Sequence, residues 1–170
     1  GANPVQVGRH IFATASYGVG GFWGEVKVNS TSEIWRNEQQ MSSQYTTPIE
    51  YDGALIGIDG RQDVGPARLV CFDPVTRKVL WAEENYGYAT LIEADNKLLI
   101  MKTDGTLVMA TASKEEYKEL GRAQVLNSTT RALPALSNGL LFVRDTKSLK
   151  CLTLNNSGQS PVTPDKSSSN

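Results

Sequence analysis

Four stretches of this chain match one another at an almost constant interval. "PVQVGRHIFAT" from Pro4, "PIEYDGALIGI" from Pro48, "LIEADNKLLIM" from Leu91 and "PALSNGLLFVR" from Pro134 begin 44, 43 and 43 residues apart. Each runs through an apolar segment, a turn pair and a second apolar segment. The pairs are Val7-Gly8, Asp52-Gly53, Asp95-Asn96 and Asn138-Gly139, rich in residue types that tolerate the left-handed backbone of a tight hairpin. A period of this length is a strong constraint. One such unit cannot bury both faces of its own sheet, so successive units must stack on one another.

Further strand signals follow in each unit. Leu69-Val70-Cys71-Phe72, Leu107-Val108-Met109-Ala110 and Leu149-Lys150-Cys151-Leu152 fall in equivalent places. A last segment ends on tryptophan twice, "SEIW" at Trp35 and "KVLW" at Trp81; in the third unit "EYKEL" stands there instead. Asp104-Gly105 between "LLIMK" and "TLVMA" is a strong hairpin signal. "SKEEYKELGRA" is short for a helix and interrupted by Gly121, and reads as a strand with charged flanks. Four strands per unit predict an all-β chain: a β-propeller of four-stranded antiparallel blades, about four of them present. From its ends it reads as a partial propeller, with a self-contained four-bladed ring lacking its closing strand as the alternative. It would span residues 1–154, with repeats starting near 4, 48, 91 and 134. A single β-sandwich would need no such period.

The expected hairpin "CFDPVTRKVLW" (Cys71 to Trp81) carries a recognisable layout. Asp73 can accept from following amides, Pro74 presets φ, and Thr76 supports the turn from its far side. Trp81 then has a large ring at the sheet's outer edge, where docking between blades would bury roughly 150–250 Å². Trp35 is its counterpart. Asp73, Thr76, Trp81 and Trp35 are therefore read as structural blade residues.

With Cys71 in place of alanine and Arg77 in place of glycine, this stretch resembles the Ala-x-Asp-x-x-Thr-Gly-x-x-x-Trp repeat of the PQQ-like β-propeller proteins. "TTPIEYDGALIGIDG" is similar to that family's preceding strand pair. The family includes quinoprotein alcohol dehydrogenases and outer-membrane-assembly scaffold lipoproteins. The resemblance implies a non-catalytic scaffold that binds a protein or a ligand, in a periplasmic or extracellular setting. The alternative it implies is a fragment of a PQQ-dependent dehydrogenase. That enzyme class requires a catalytic aspartate, calcium ligands and commonly a vicinal cysteine pair; no Cys-Cys occurs here.

Composition narrows the function classes. Seventeen Lys plus Arg against 18 Asp plus Glu, scattered along the chain, make neither a nucleic-acid nor an anionic-membrane footprint. No apolar run approaches the roughly 18 residues of a spanning helix, so no transmembrane segment is expected. Cys71 and Cys151 lie far apart and at equivalent places in two units, which speaks against a mutual disulfide. His10 is the only histidine and has no partner in sequence. "YGVGGFWG" lacks the Lys-Ser/Thr of a phosphate loop; its aromatics Tyr17, Phe22 and Trp23 are the candidates for lining a binding groove. "DGRQD" lacks the further ligands of a calcium loop. No catalytic residue, metal ligand or cofactor is assigned.

The ends carry one more expectation. Residues 155–170, "NNSGQSPVTPDKSSSN", read as a Ser/Pro-rich disordered tail. The fourth unit then lacks its last strand, and no spare strand precedes the first. The chain therefore reads as the C-terminal part of a longer propeller. It is expected to associate with itself or with the missing N-terminal blades, because an open array exposes sheet edges.

Overall fold

A computed structural model describes residues 1–154 as four antiparallel sheets. The first holds β1 (Val5–Val7), β2 (His10–Ala15), β3 (Gly20–Lys27) and β4 (Ser30–Asn37), paired in that order. The second repeats the order with β5 (Ile49–Tyr51), β6 (Ala54–Asp59), β7 (Arg68–Phe72) and β8 (Val79–Glu83). The third has β9 (Ala89–Ala94), β10 (Lys97–Lys102), β11 (Thr106–Thr111) and β12 (Glu119–Gln124). The fourth holds three strands among the described residues, β13 (Ala135–Ser137), β14 (Leu140–Arg144) and β15 (Leu149–Thr153). These are blades of a β-propeller, in the number the repeat predicts. The reading of 155–170 as a tail lies outside the described residues.

The first hairpin of each blade shows why the repeat marks these positions. Tyr51 pairs with Ala54, Ala94 with Lys97, and Ser137 with Leu140, leaving two-residue turns. All six turn residues have positive φ, from 47° at Asp52 to 82° at Gly53, as a type I′ turn requires. The first blade differs from expectation. Val7 pairs with His10, so its turn is Gly8-Arg9 rather than Val7-Gly8, and only Gly8 has positive φ there. The stretch "SKEEYKELGRA" does supply a strand: β12 runs from Glu119 to Gln124, through Gly121.

Strand parity builds the core. In the second blade Leu55, Val70 and Phe72 pack with Phe12, Trp23, Trp35 and Met41 of the first. Their neighbours Ala54, Ile56, Ile58, Leu69 and Cys71 point the other way, onto Leu91, Leu98, Ile100 and Val108 of the third. The third blade repeats this, sending Leu99, Met101 and Leu107 to Leu141 and Val143 of the fourth. Each sheet is thus apolar on both faces, which explains the short apolar runs without clean alternation. The same alternation leaves apolar side chains uncovered at either end of the stack. Val26 is 52 % exposed on the first blade, and Leu140 and Leu149 are 38 % and 71 % exposed on the fourth.

A β-bulge recurs between the third and fourth strands of the first three blades, just before the position paired as Trp23↔Trp35, Cys71↔Trp81 and Met109↔Gly121. The extra residues are Ile34, Leu80 and Leu120, and the bend aims the following side chain at the next blade. After β7 the chain turns on Asp73. Its Oδ1 accepts from the Val75 and Thr76 amides at 2.8 and 3.3 Å, and its Oδ2 from the Thr76 hydroxyl at 2.8 Å. Arg77 closes the turn at φ 63°, a conformation that costs a non-glycine residue about 1–2 kcal/mol. Arg77→Gly is therefore expected to raise stability by about 0.5–1 kcal/mol in urea unfolding, after the extra chain entropy of glycine is subtracted.

Candidate functional site

Loops between second and third strands, and the linkers from one blade to the next, gather at one end of the strands. Their polar residues form a connected network. The Arg61 guanidinium lies 4.4 Å from the centre of the Tyr17 ring and binds Asp63 through both carboxylate oxygens, at 2.9 and 2.6 Å. Gln44 donates to the Tyr17 hydroxyl at 2.8 Å and to Asp63 Oδ1 at 3.3 Å, and its Oε1 accepts from the Gln62 amide at 2.9 Å. Tyr45 donates to Gln62 Oε1 at 2.8 Å. Gln44, Tyr45, Gln62, Asp63 and Arg131 line a cleft of about 330 Å³.

Tyr88 anchors this network to the fold. Buried to 4 % exposure, its ring meets that of Tyr45 at 4.5 Å. Its hydroxyl oxygen accepts from the Tyr45 and Thr46 amides at 2.7 and 3.1 Å and lies 3.2 Å from Ser43 Oγ. One side chain from the second linker thereby pins the first. Tyr45, Tyr88 and Arg131 are spaced by 43 residues, so they hold the same repeat position. The period itself marks these positions, although they lie in polar linkers rather than in the apolar strands that carry the repeat.

The titratable groups of the cleft keep fixed charge states at neutral pH. Burial, with Tyr88 alongside, pushes the Tyr45 hydroxyl up to about 12, against the pull of Arg131; it stays protonated at neutral pH. Hydrogen bonds from Arg61 hold the Asp63 carboxyl below its usual range, so it stays ionised. Neither group is placed to exchange protons near pH 7. Among the described residues, no three His, Cys, Asp or Glu side chains group closely enough to hold a metal ion. What the cleft offers is fixed donors, acceptors and aromatic edges.

The aromatics expected to line one groove are not brought together. Tyr17 is exposed and belongs to the network above. Trp23 is 2 % exposed, stacked on His10 at 4.8 Å and turned into the core between the first two blades, because it pairs with Phe12 across the sheet. Phe22 points to the opposite face, under the Arg36 guanidinium at 5.1 Å. The tryptophans at the bulges sit between blades. Trp35 Nε1 donates to Pro74 O at 2.8 Å and Trp81 Nε1 to Ser113 O at 2.9 Å, each in the following blade. Asp73 and Thr76 stay within their turn, and Cys71 and Cys151 are both free.

A second carboxylate shapes this loop end. Asp59 Oδ1 accepts from the Ser42 amide at 2.7 Å, and Asp145, two periods on, accepts from the Ser128 amide at 3.2 Å. Asp145 also takes the Lys147 and Ser148 amides at 2.8 and 2.7 Å. These bonds, the Lys147 amide first and Ser128 next, hold its carboxyl far below the ordinary aspartate value of 3.8. A depressed folded-state value stabilises above the unfolded one and fades as pH falls towards the folded one. Asp145→Ala is thus expected to lose the same stability at pH 7 and pH 6. Its deficit against the parent should shrink steadily below about pH 4, as read by urea unfolding.

Fold and cleft together define a propeller with a hydrogen-bonded polar and aromatic loop face. No protein-family model and no curated protein matches the chain. Among solved structures it is similar to BamB from Moraxella catarrhalis, with a TM-score of 0.65 and 14 % sequence identity over 88 % of this chain. The likeness is one of fold. The matched part is 41 % of the BamB chain, so this chain spans about two fifths of that length.

Proposed function

We propose that this chain is a section of a β-propeller scaffold that binds a protein through the loop end around Tyr45. The carrying observation is the Tyr17–Gln44–Tyr45–Asp63 network, fixed to the backbone by Tyr88 and holding no group tuned for proton transfer. Such a surface presents pre-organised contacts at little entropic cost to binding. Similarity to BamB supports the scaffold reading through the fold, as does the PQQ-like repeat. A periplasmic or extracellular setting goes with that resemblance. The uncovered apolar faces of the first and fourth blades support a longer propeller, of which this chain forms a section.

A photo-crosslinking amino acid placed at Gln44 or Arg131, in the native host, tests the binding surface. A discrete adduct from these sites, and none from Asp52 or Glu115 at the opposite end of the strands, is the expected result. No adduct from the Tyr45 end, with one from the opposite end, would contradict it.

A further inference from the structure

The bulge register defines three equivalent places between blades, and the third is empty. Trp35 lies opposite Trp23 and Trp81 opposite Cys71, whereas Gly121 lies opposite Met109. Where the indole is present, the residue beneath it is shielded: Trp23 is 2 % exposed and Cys71 0 %. Met109 is 37 % exposed. A Cβ on Gly121 would meet no heavy atom within 4 Å outside its chain neighbours, and its φ is not in the positive region.

A cleft of about 460 Å³ opens there between the third and fourth blades. Leu99, Met109 and Leu136 form its apolar lining, and Asp95 and Lys97 contribute polar groups. Leu154 also lines it, three residues after Cys151, just as Pro74 is three residues after Cys71. Pro74 is the residue whose carbonyl receives the Trp35 indole. The cleft therefore keeps the setting of an indole site while the chain supplies no indole.

We propose that this cleft binds an aromatic side chain, indole above all, presented by a partner protein. The cleft is continuous with an interface the chain already builds between its third and fourth blades, and an inserted ring would complete it as Trp35 and Trp81 complete the other two. Residues 155–170 contain no Phe, Tyr or Trp, so that segment does not supply the ring. The Met109 thioether adapts to ring shape and makes favourable sulfur–aromatic contacts. This cleft lies at the opposite end of the strands from Tyr45, so its test does not depend on the loop-end reading.

The three methionines, Met41, Met101 and Met109, make a direct probe. In the full chain labelled with ¹³C-methyl methionine, N-acetyl-tryptophanamide should shift the Met109 methyl saturably at millimolar concentration. The buried Met41 and Met101 should stay unmoved, and N-acetyl-leucinamide should bind at least about 5-fold more weakly. Gly121→Trp should raise the melting temperature and abolish the titration. A Met109 methyl indifferent to the tryptophan amide, or a folded Gly121→Trp protein that titrates like the parent, would overturn the proposal. Should Gly121→Trp fail to fold, the titration of the parent decides alone.

Discussion

Trp35→Ala is expected to lower stability by about 3–5 kcal/mol in urea unfolding, the range for emptying a buried large aromatic site. The ring is 8 % exposed and packs against Phe12 and Phe72, at centroid distances of 6.0 and 6.5 Å. It joins side chains from two blades, so the cavity would fall inside their interface rather than within one sheet. Trp35→Phe separates packing from hydrogen bonding. It keeps most of the ring and leaves Pro74 O without its indole donor, so a loss of about 1–2 kcal/mol is expected. A Trp35→Ala loss under about 1 kcal/mol would mean that the indole does not fasten these blades.

Gly105→Ala should be comparably damaging, for a different reason. Gly105 ends the turn after β10 at φ 92°, donating its amide to Lys102 O at 3.0 Å. Its own carbonyl accepts from the Val125 and Leu126 amides, both at 3.1 Å, which draws the chain leaving β12 tight against it. An added Cβ would stand 2.2 Å from Leu126 O and 2.7 Å from Leu126 C. Backbone at that distance must shift, and with the strain of positive φ the expected cost is about 2–5 kcal/mol. Gly53→Ala is the matched control. Gly53 has φ 82° and open space where the Cβ would go, so it should lose only the backbone part, about 1–2 kcal/mol. Equal losses in the two variants would show that the clash is relieved without cost.

The architecture was legible because it is written in spacing. Turn pairs near 52, 95 and 138 recur at the period and occupy the two-residue turns of the structure. At the first blade the assignment slips by one residue. Gly8 is the only strong turn former there, and Arg9 carries no signal of its own. Trp23 misled for a reason rooted in parity. Its glycine-rich neighbourhood suggested an open loop, but Gly20–Lys27 is a strand, and every second side chain enters the core. Gly121 argued against a helix and the strand is there, but its standing at a tryptophan position shows only in the register. The Tyr45 cleft and its network stayed hidden because their members come from three linkers and two loops. Each is unremarkable alone, and only folding brings Arg61 over Tyr17 or Tyr88 under Tyr45.

The end faces matter most for the proposal that this chain belongs to a larger ring. Each internal interface is built from one parity set of one blade against the opposite set of the next. The first and fourth blades each hold one such set uncovered, with Val26, Leu140 and Leu149 exposed. Static light scattering on the purified chain, read alongside its melting curve, tests this directly. The expected result is a mass of two chains or more that falls on dilution. A single-chain mass at every concentration, with one sharp melting transition, would contradict it.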